Sequence, residues 1–100
     1  MRIEILDEAE SDLIEGFHFY QRQETGLGWY FLDSLFSDID SLLLYAGIHD
    51  IVYGYHRCLA KRIPFAVYYS VEGENIRVYA ILDCRRNPSW IERRLKNPNA

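Results

Sequence analysis

Most of the short motifs that mark a catalytic centre are missing from this sequence. It holds no G-x-G-x-x-G and no G-x-x-x-x-G-K-[ST], so a glycine loop cradling a nucleotide's phosphates is not supported. It holds no G-x-S-x-G, which removes a hydrolase nucleophile elbow. Histidine and cysteine are scarce: His18, His49 and His56, with Cys58 and Cys84, fall into neither C-x-x-C nor zinc-like spacing, and no metal or cofactor is expected. No apolar run approaches the roughly 20 residues that span a bilayer. The charged, strand-like opening MRIEILDEAE lacks the pattern of a secretory signal. The chain therefore reads as cytosolic, and its cysteines as buried thiols rather than a disulfide. His56 and Cys58 share a strand face, but a small apolar thiol beside a strand-edge imidazole explains them better than a nucleophile and its base.

Apolar and aromatic side chains are plentiful. Hydrophobic residues make up 49% and aromatics 15% of 100 residues, enough for one domain over residues 1–100 with a true core. A net charge of −4 argues against nucleic-acid binding by itself. The charge is polarised, however. Residues 1–50 hold 2 basic and 11 acidic side chains, and residues 51–100 hold 9 basic and 4 acidic. Such a chain either presents a basic face on an acidic body or simply has acidic helices and a basic sheet.

No repeat, linker or low-complexity stretch divides the chain. Residues 2–6 alternate as a short strand. Asp7 fits a helix N-cap with Glu10 three residues on, and Ala9, Leu13, Phe17 and Tyr20 recur at helical spacing as far as Glu24. Gly26 and Gly28 punctuate the ETGLG turn. A second helix carries Phe31, Leu35, Ile39, Leu42 and Leu43 on one stripe and ends near Ala46–Gly47. Residues 48–54 read as a loop. Period-two patterns then mark strands over 55–61, 64–71 and 76–83. Phe65, Val67, Tyr69 and Val71 share one face, and Ile76, Val78, Ala80 and Leu82 point inward. EGEN makes the hairpin turn between the last two. Pro88 opens a final helix to Leu95. The order βααβββα predicts an α+β domain: an N-terminal strand, a helical hairpin packed on one face of a three-stranded antiparallel sheet, and a short C-terminal helix.

The basic residues are the strongest functional signal. Arg57 and Lys61 lie four apart and so on one side of a strand. Antiparallel pairing of 64–71 with 76–83 brings the Lys61–Arg62 end beside Arg85–Arg86, while Arg93 lies on the last helix with Trp90, whose bulk suits an anchor between helix and sheet. Convergence of Arg57, Lys61, Arg62, Arg85, Arg86 and Arg93 predicts a cationic groove for phosphates or acidic side chains, the more so because arginine outnumbers lysine nine to two. The alternative is that each arginine pairs with a surface carboxylate.

Three segments, FYQRQETGLGWYFLDSL, HRCLAKRIPFAVYYSVEGENI and AILDCRRNPSW, resemble the ParE/RelE superfamily of bacterial toxins, often labelled plasmid-stabilisation proteins. The resemblance covers about residues 5 to 95. It implies the βααβββα fold, a cytosolic toxin of a type II toxin–antitoxin module, and a cognate antitoxin whose acidic and apolar segment wraps the toxin. The RelE-like branch cuts mRNA in the ribosome with basic side chains. On that branch Arg57 and Arg86 match basic positions, but the strand arginine falls near Ala66 and the C-terminal tyrosine near Glu92. The ParE-like branch inhibits DNA gyrase and cuts nothing, and the R-R-x-P-x-W ending, Arg85 to Trp90, looks more like it. The resemblance thus implies a ParE-like gyrase inhibitor, with a ribosome-dependent endoribonuclease or an inactive toxin-fold module as alternatives. Exposed aromatics of the first helix, such as Phe19, are candidates for a partner surface or a homodimer.

Overall fold

A computed structural model of the chain describes residues 1–96. The elements run β1 (Arg2–Ile5), α1 (Asp7–Gln23), α2 (Leu27–Tyr45), β2 (Ile51–Val52), β3 (Tyr55–Leu59), β4 (Phe65–Glu72), β5 (Asn75–Asp83) and α3 (Pro88–Lys96). The α+β order read from the sequence holds. The sheet is wider than expected, with five strands ordered β1-β5-β4-β3-β2. β1 adds to β5 in parallel, Ile3 opposite Ile76, and the remaining pairs are antiparallel. No helix of the described residues is long and apolar enough to cross a membrane.

The helical hairpin is built on two glycines. Gly16 in α1 lies against the ring of Phe31, and Gly28 in α2 lies against Phe17, so each helix lends an aromatic side chain to a bare stretch of the other. Gly28 is therefore a packing residue inside α2, not a turn residue. The turn is closed by Gln21, whose Oε1 accepts the N–H groups of Gly26 (3.1 Å) and Gly28 (3.0 Å), two donors left free at a helix start. Asp7 is already helical and caps nothing. Leu6 holds the extended N-cap position, its N–H bound to Val78 C=O at 3.0 Å. The acids Asp7, Glu8 and Glu10 still sit in the first turn, where the helix dipole favours them.

Helices cover both faces of the sheet, which corrects the expected one-sided arrangement. Ala9, Leu13, Phe31, Leu35, Ile39 and Leu42 pack with Phe65, Val67, Tyr69, Ile76, Val78 and Ile81. On the opposite face Ile91 and Leu95 of α3 pack with Ala66, Tyr68, Ala80 and Leu82, and Trp90 packs against this second core. The reversal within β5 has a local cause. Tyr68 pairs with Ala80 and Tyr69 with Val78, so Tyr79 is an extra, unpaired residue. That bulge flips the alternation, and Ala80 and Leu82 turn to the α3 face instead of following Ile76 and Val78. Leu43 is likewise off the core stripe and exposed.

Two further differences matter for the site. β3 stops at Leu59, and Lys61 lies in the following loop, its N–H held by the buried Asp38 carboxylate at 3.3 Å. The segment expected as a loop contains β2, joined to β3 by the two-residue turn Tyr53-Gly54 with φ of 52° and 89°. A tyrosine in that left-handed position is uncommon, since such turns favour Asn or Gly.

Candidate functional site

β1 pairs with β5 only as far as Val78, so the outer edge of β5 beyond it lies open between α1 and α3. A cavity of about 360 Å³ occupies that gap. Asp12 of α1 closes its floor. Its Oδ2 accepts the free edge N–H of Ile81 at 3.0 Å and a guanidinium N–H of Arg94 at 2.8 Å. One carboxylate thus caps the sheet edge and ties α3 to α1. Burial outweighs both partners and pushes its carboxyl up from 3.8 to about 6. Phe19, a candidate for a partner surface or a homodimer, lines this cavity with Glu15, Phe65, Arg86 and Trp90.

The arginines at the mouth of β5 are mostly neutralised within the chain. Arg85 holds Asp83 with Nε at 3.0 Å and Nη2 at 2.8 Å, and this pairing keeps the Asp83 carboxyl below the usual range. Arg86 stacks its guanidinium 4.0 Å from the centre of the Trp90 ring and reaches Glu15 at 3.5 Å. Arg77 is shared by Glu4 and Glu72. The Cys84 N–H bonds to Pro64 C=O at 2.8 Å, so the loop carrying Lys61 and Arg62 does lie at the same end of the sheet as Arg85 and Arg86. Arg57, Lys61, Arg62 and Arg93 make no ion pair among the described residues.

Arg57 and Lys61 act on opposite faces of the sheet. Arg57 pairs across the ladder with Tyr68, on the α3 face, and its charge offsets part of the burial that pushes the Tyr68 phenol and the Cys84 thiol up. Lys61 instead acts on Cys58, on the hairpin face. The chain bends out of the strand before Lys61, so the four-residue spacing does not carry the two to one side. Cys84 is exposed, contrary to the expectation for both cysteines, because β5 ends at Asp83. Cys58 is buried with its Sγ directed at the Leu59 C=O 4.0 Å away, and His56 bonds through Nδ1 to His49 C=O at 2.7 Å, so the two side chains do not hydrogen-bond to each other.

A second cavity, about 380 Å³, was not legible as a site. It runs between α1 and α2 on the side away from the sheet and is lined by Leu13, Ile14, Phe17, Trp29, Leu32 and Phe36 with Glu10 and His18. Trp29 is 60% exposed and meets Phe17 edge-on at 4.9 Å. These side chains look like core at helical spacing; only their position on the outer face marks them as a surface. The signal available in the sequence was the apolar excess of α2, which has acids but no basic residue.

Comparison with known proteins finds one kind of likeness. No family model matches the chain, and no curated protein matches it by sequence. Among solved structures, a chain of "Chromosomal ParDE TA system from P. aeruginosa" superposes with a TM-score of 0.71 at 19% identity, over 81% of this chain and 92% of that one. The fold is thus the ParE/RelE-like fold, as the resemblance implied.

Proposed function

We propose that this chain is the toxin of a type II toxin–antitoxin module, a cytoplasmic, ParE-like inhibitor of DNA gyrase that a cognate antitoxin holds inactive. The shared fold supports the toxin reading. The observation that carries the choice of branch is Ala66. Where an RNA-cutting relative would need a phosphate-binding arginine, this chain has an alanine at 0% exposure, sealed beneath α3. Glu92, at the other expected catalytic position, is engaged with Lys96 at 2.5 Å. A carboxylate there opposes a phosphate. Inducing the chain alone in a bacterial host, beside Arg86→Ala, tests the reading: growth arrest relieved by the substitution, with loss of supercoiling by purified gyrase, is the expected result. Unimpeded growth with soluble, folded protein overturns it in favour of an inactive interaction module.

The groove between α1 and α2 is the better-supported antitoxin surface. The arginine mouth of β5 is largely paired already, so an acidic segment gains little there. The groove is apolar with Glu10 in its lining, and α2 carries exposed Asp33 and Asp40 four residues beyond Trp29 and Phe36. Its chemistry fits an amphipathic segment with basic flanks. A second copy of the chain is the competing occupant, and a monomer mass that does not change with concentration excludes it.

One observation favours the nuclease alternative: the Arg57 guanidinium has no ion-pair partner among the described residues and lies beside the Tyr68 phenol. Primer extension on ribosome-bound mRNA decides it, since cleavage abolished by Arg57→Ala would replace the gyrase reading.

A further inference from the structure

The loop between α2 and β2 is held by one buried hydroxyl. Tyr69, fully buried on β4, accepts the Gly47 N–H at 2.9 Å, so its single proton goes to His49 Nδ1 at 2.5 Å. That pattern assigns His49 the Nε2–H tautomer. The His56 ring stacks on Tyr69 at 5.1 Å and donates from Nδ1 to His49 C=O at 2.7 Å. The next residue, Asp50, accepts the Arg57 N–H at 2.9 Å and leads directly into β2.

We infer that His49, Tyr69 and His56 form an acid-released clamp that holds the α2–β2 loop, and through it the edge strand β2, against the sheet. A proton on His49 Nδ1 would turn an acceptor into a donor. His49 and Gly47 would then both donate to one oxygen, and the Tyr69 proton would lose its acceptor inside the core. Of the titratable groups near His49, His56 of β3 opposes the proton and Asp50 of the same loop favours it; Tyr69 of β4 has the Cys58 thiol of β3 as its own neighbour, and the last turn of α2 carries no basic residue. Burial, then His56, hold the His49 pKa below its ordinary 6.5. A base held low in the native state gives stability that is complete above the unfolded value and is lost as the pH falls through it. Release would free Ile48 and Ile51, both already exposed, and bare the β3 edge at Arg57.

Amide exchange followed by NMR tests this independently of the toxin reading. Corrected for the intrinsic rate, exchange at Gly47 and Arg57 should rise about tenfold or more from about pH 7.5 to about pH 5, with Val67 in β4 unchanged. In His49→Gln, whose amide oxygen accepts the Tyr69 proton without titrating, both amides should stay protected at both pH values. Flat exchange in the unaltered chain, or a pH step that persists in His49→Gln, overturns the inference.

Discussion

Replacing Gly16 by alanine should destabilise the protein, although the same change in an exposed helix stabilises it. Alanine is favoured over glycine within a helix by about 1 kcal/mol. Here the added methyl would lie 2.2 Å from Phe31 Cζ and 2.7 Å from Cε1. Carbon atoms in contact sit about 3.5–4.0 Å apart, so the ring would have to retreat by more than about 1 Å. It has nowhere to go: Tyr20 stacks on it at 5.2 Å and Phe65 meets it edge-on at 5.0 Å. Overpacking of this kind costs about 1–3 kcal/mol. With a clash this deep the upper part of that range applies, leaving a net loss of about 1–2 kcal/mol after the propensity gain. For a chain of this size each kcal/mol moves the melting temperature by about 4–8 °C. Urea unfolding of Gly16→Ala, measured again in a Phe31→Leu background, separates the terms, since a smaller side chain at 31 should relieve much of the loss. A Gly16→Ala protein about 1 kcal/mol more stable than the parent would refute the packing argument.

Four other outcomes follow from the structure. Asp12, with its carboxyl raised to about 6, makes the native state bind more protons than the unfolded chain between the ordinary 3.8 and that value. Its contribution therefore falls as the pH rises through this window, by up to about 3 kcal/mol; the stability difference between the parent and Asp12→Asn should shrink accordingly from about pH 4 to pH 7, and a constant difference would contradict the assignment. Tyr53→Asn should raise stability by about 1 kcal/mol by relieving the left-handed backbone, and a loss would mean that the tyrosine ring contributes more than its strain costs. Phe36→Glu should weaken antitoxin binding by about tenfold or more while far-UV circular dichroism stays unchanged. The parent's antitoxin affinity should vary little with salt; a steep fall would return the antitoxin to the basic end of the sheet.

Periodicity made the helices and the three long strands legible, because each runs long enough to show its repeat. It failed where one residue changed the count. Tyr79 is an ordinary strand residue by composition, and nothing around it announces a bulge, so Ala80 and Leu82 were assigned to the wrong face. β2 has two residues, too few for any period, and its turn has a tyrosine where sequence rules look for Asn or Gly. Gly16 and Gly28 owe their roles to aromatic rings on the facing helix, a relation that helical spacing does not encode. The arginines of the candidate groove were legible by type and approximate place. Their partners were not, since Arg94 finds Asp12 and Arg86 finds Glu15 from the opposite end of the chain.

Those long-range pairs change what the charge polarity of the sequence means. Part of it is consumed in holding α3 and β5 to α1 and β1, through Arg94–Asp12, Arg86–Glu15 and Arg77–Glu4. The remainder is left on separate surfaces. α2 exposes Asp33 and Asp40, four residues beyond Trp29 and Phe36 of the apolar groove, while Arg57, Arg62 and Arg93 stay without carboxylate partners among the described residues. On the proposed function, antitoxin and target then draw on different forces. Apolar burial in the groove is nearly indifferent to ionic strength, whereas attraction of an acidic target to exposed guanidinium groups is screened over about 10 Å at 0.1 M salt. Rising salt should therefore release the target before the antitoxin. A target complex as salt-resistant as the antitoxin complex would place both on the hairpin, in direct competition for Trp29 and Phe36.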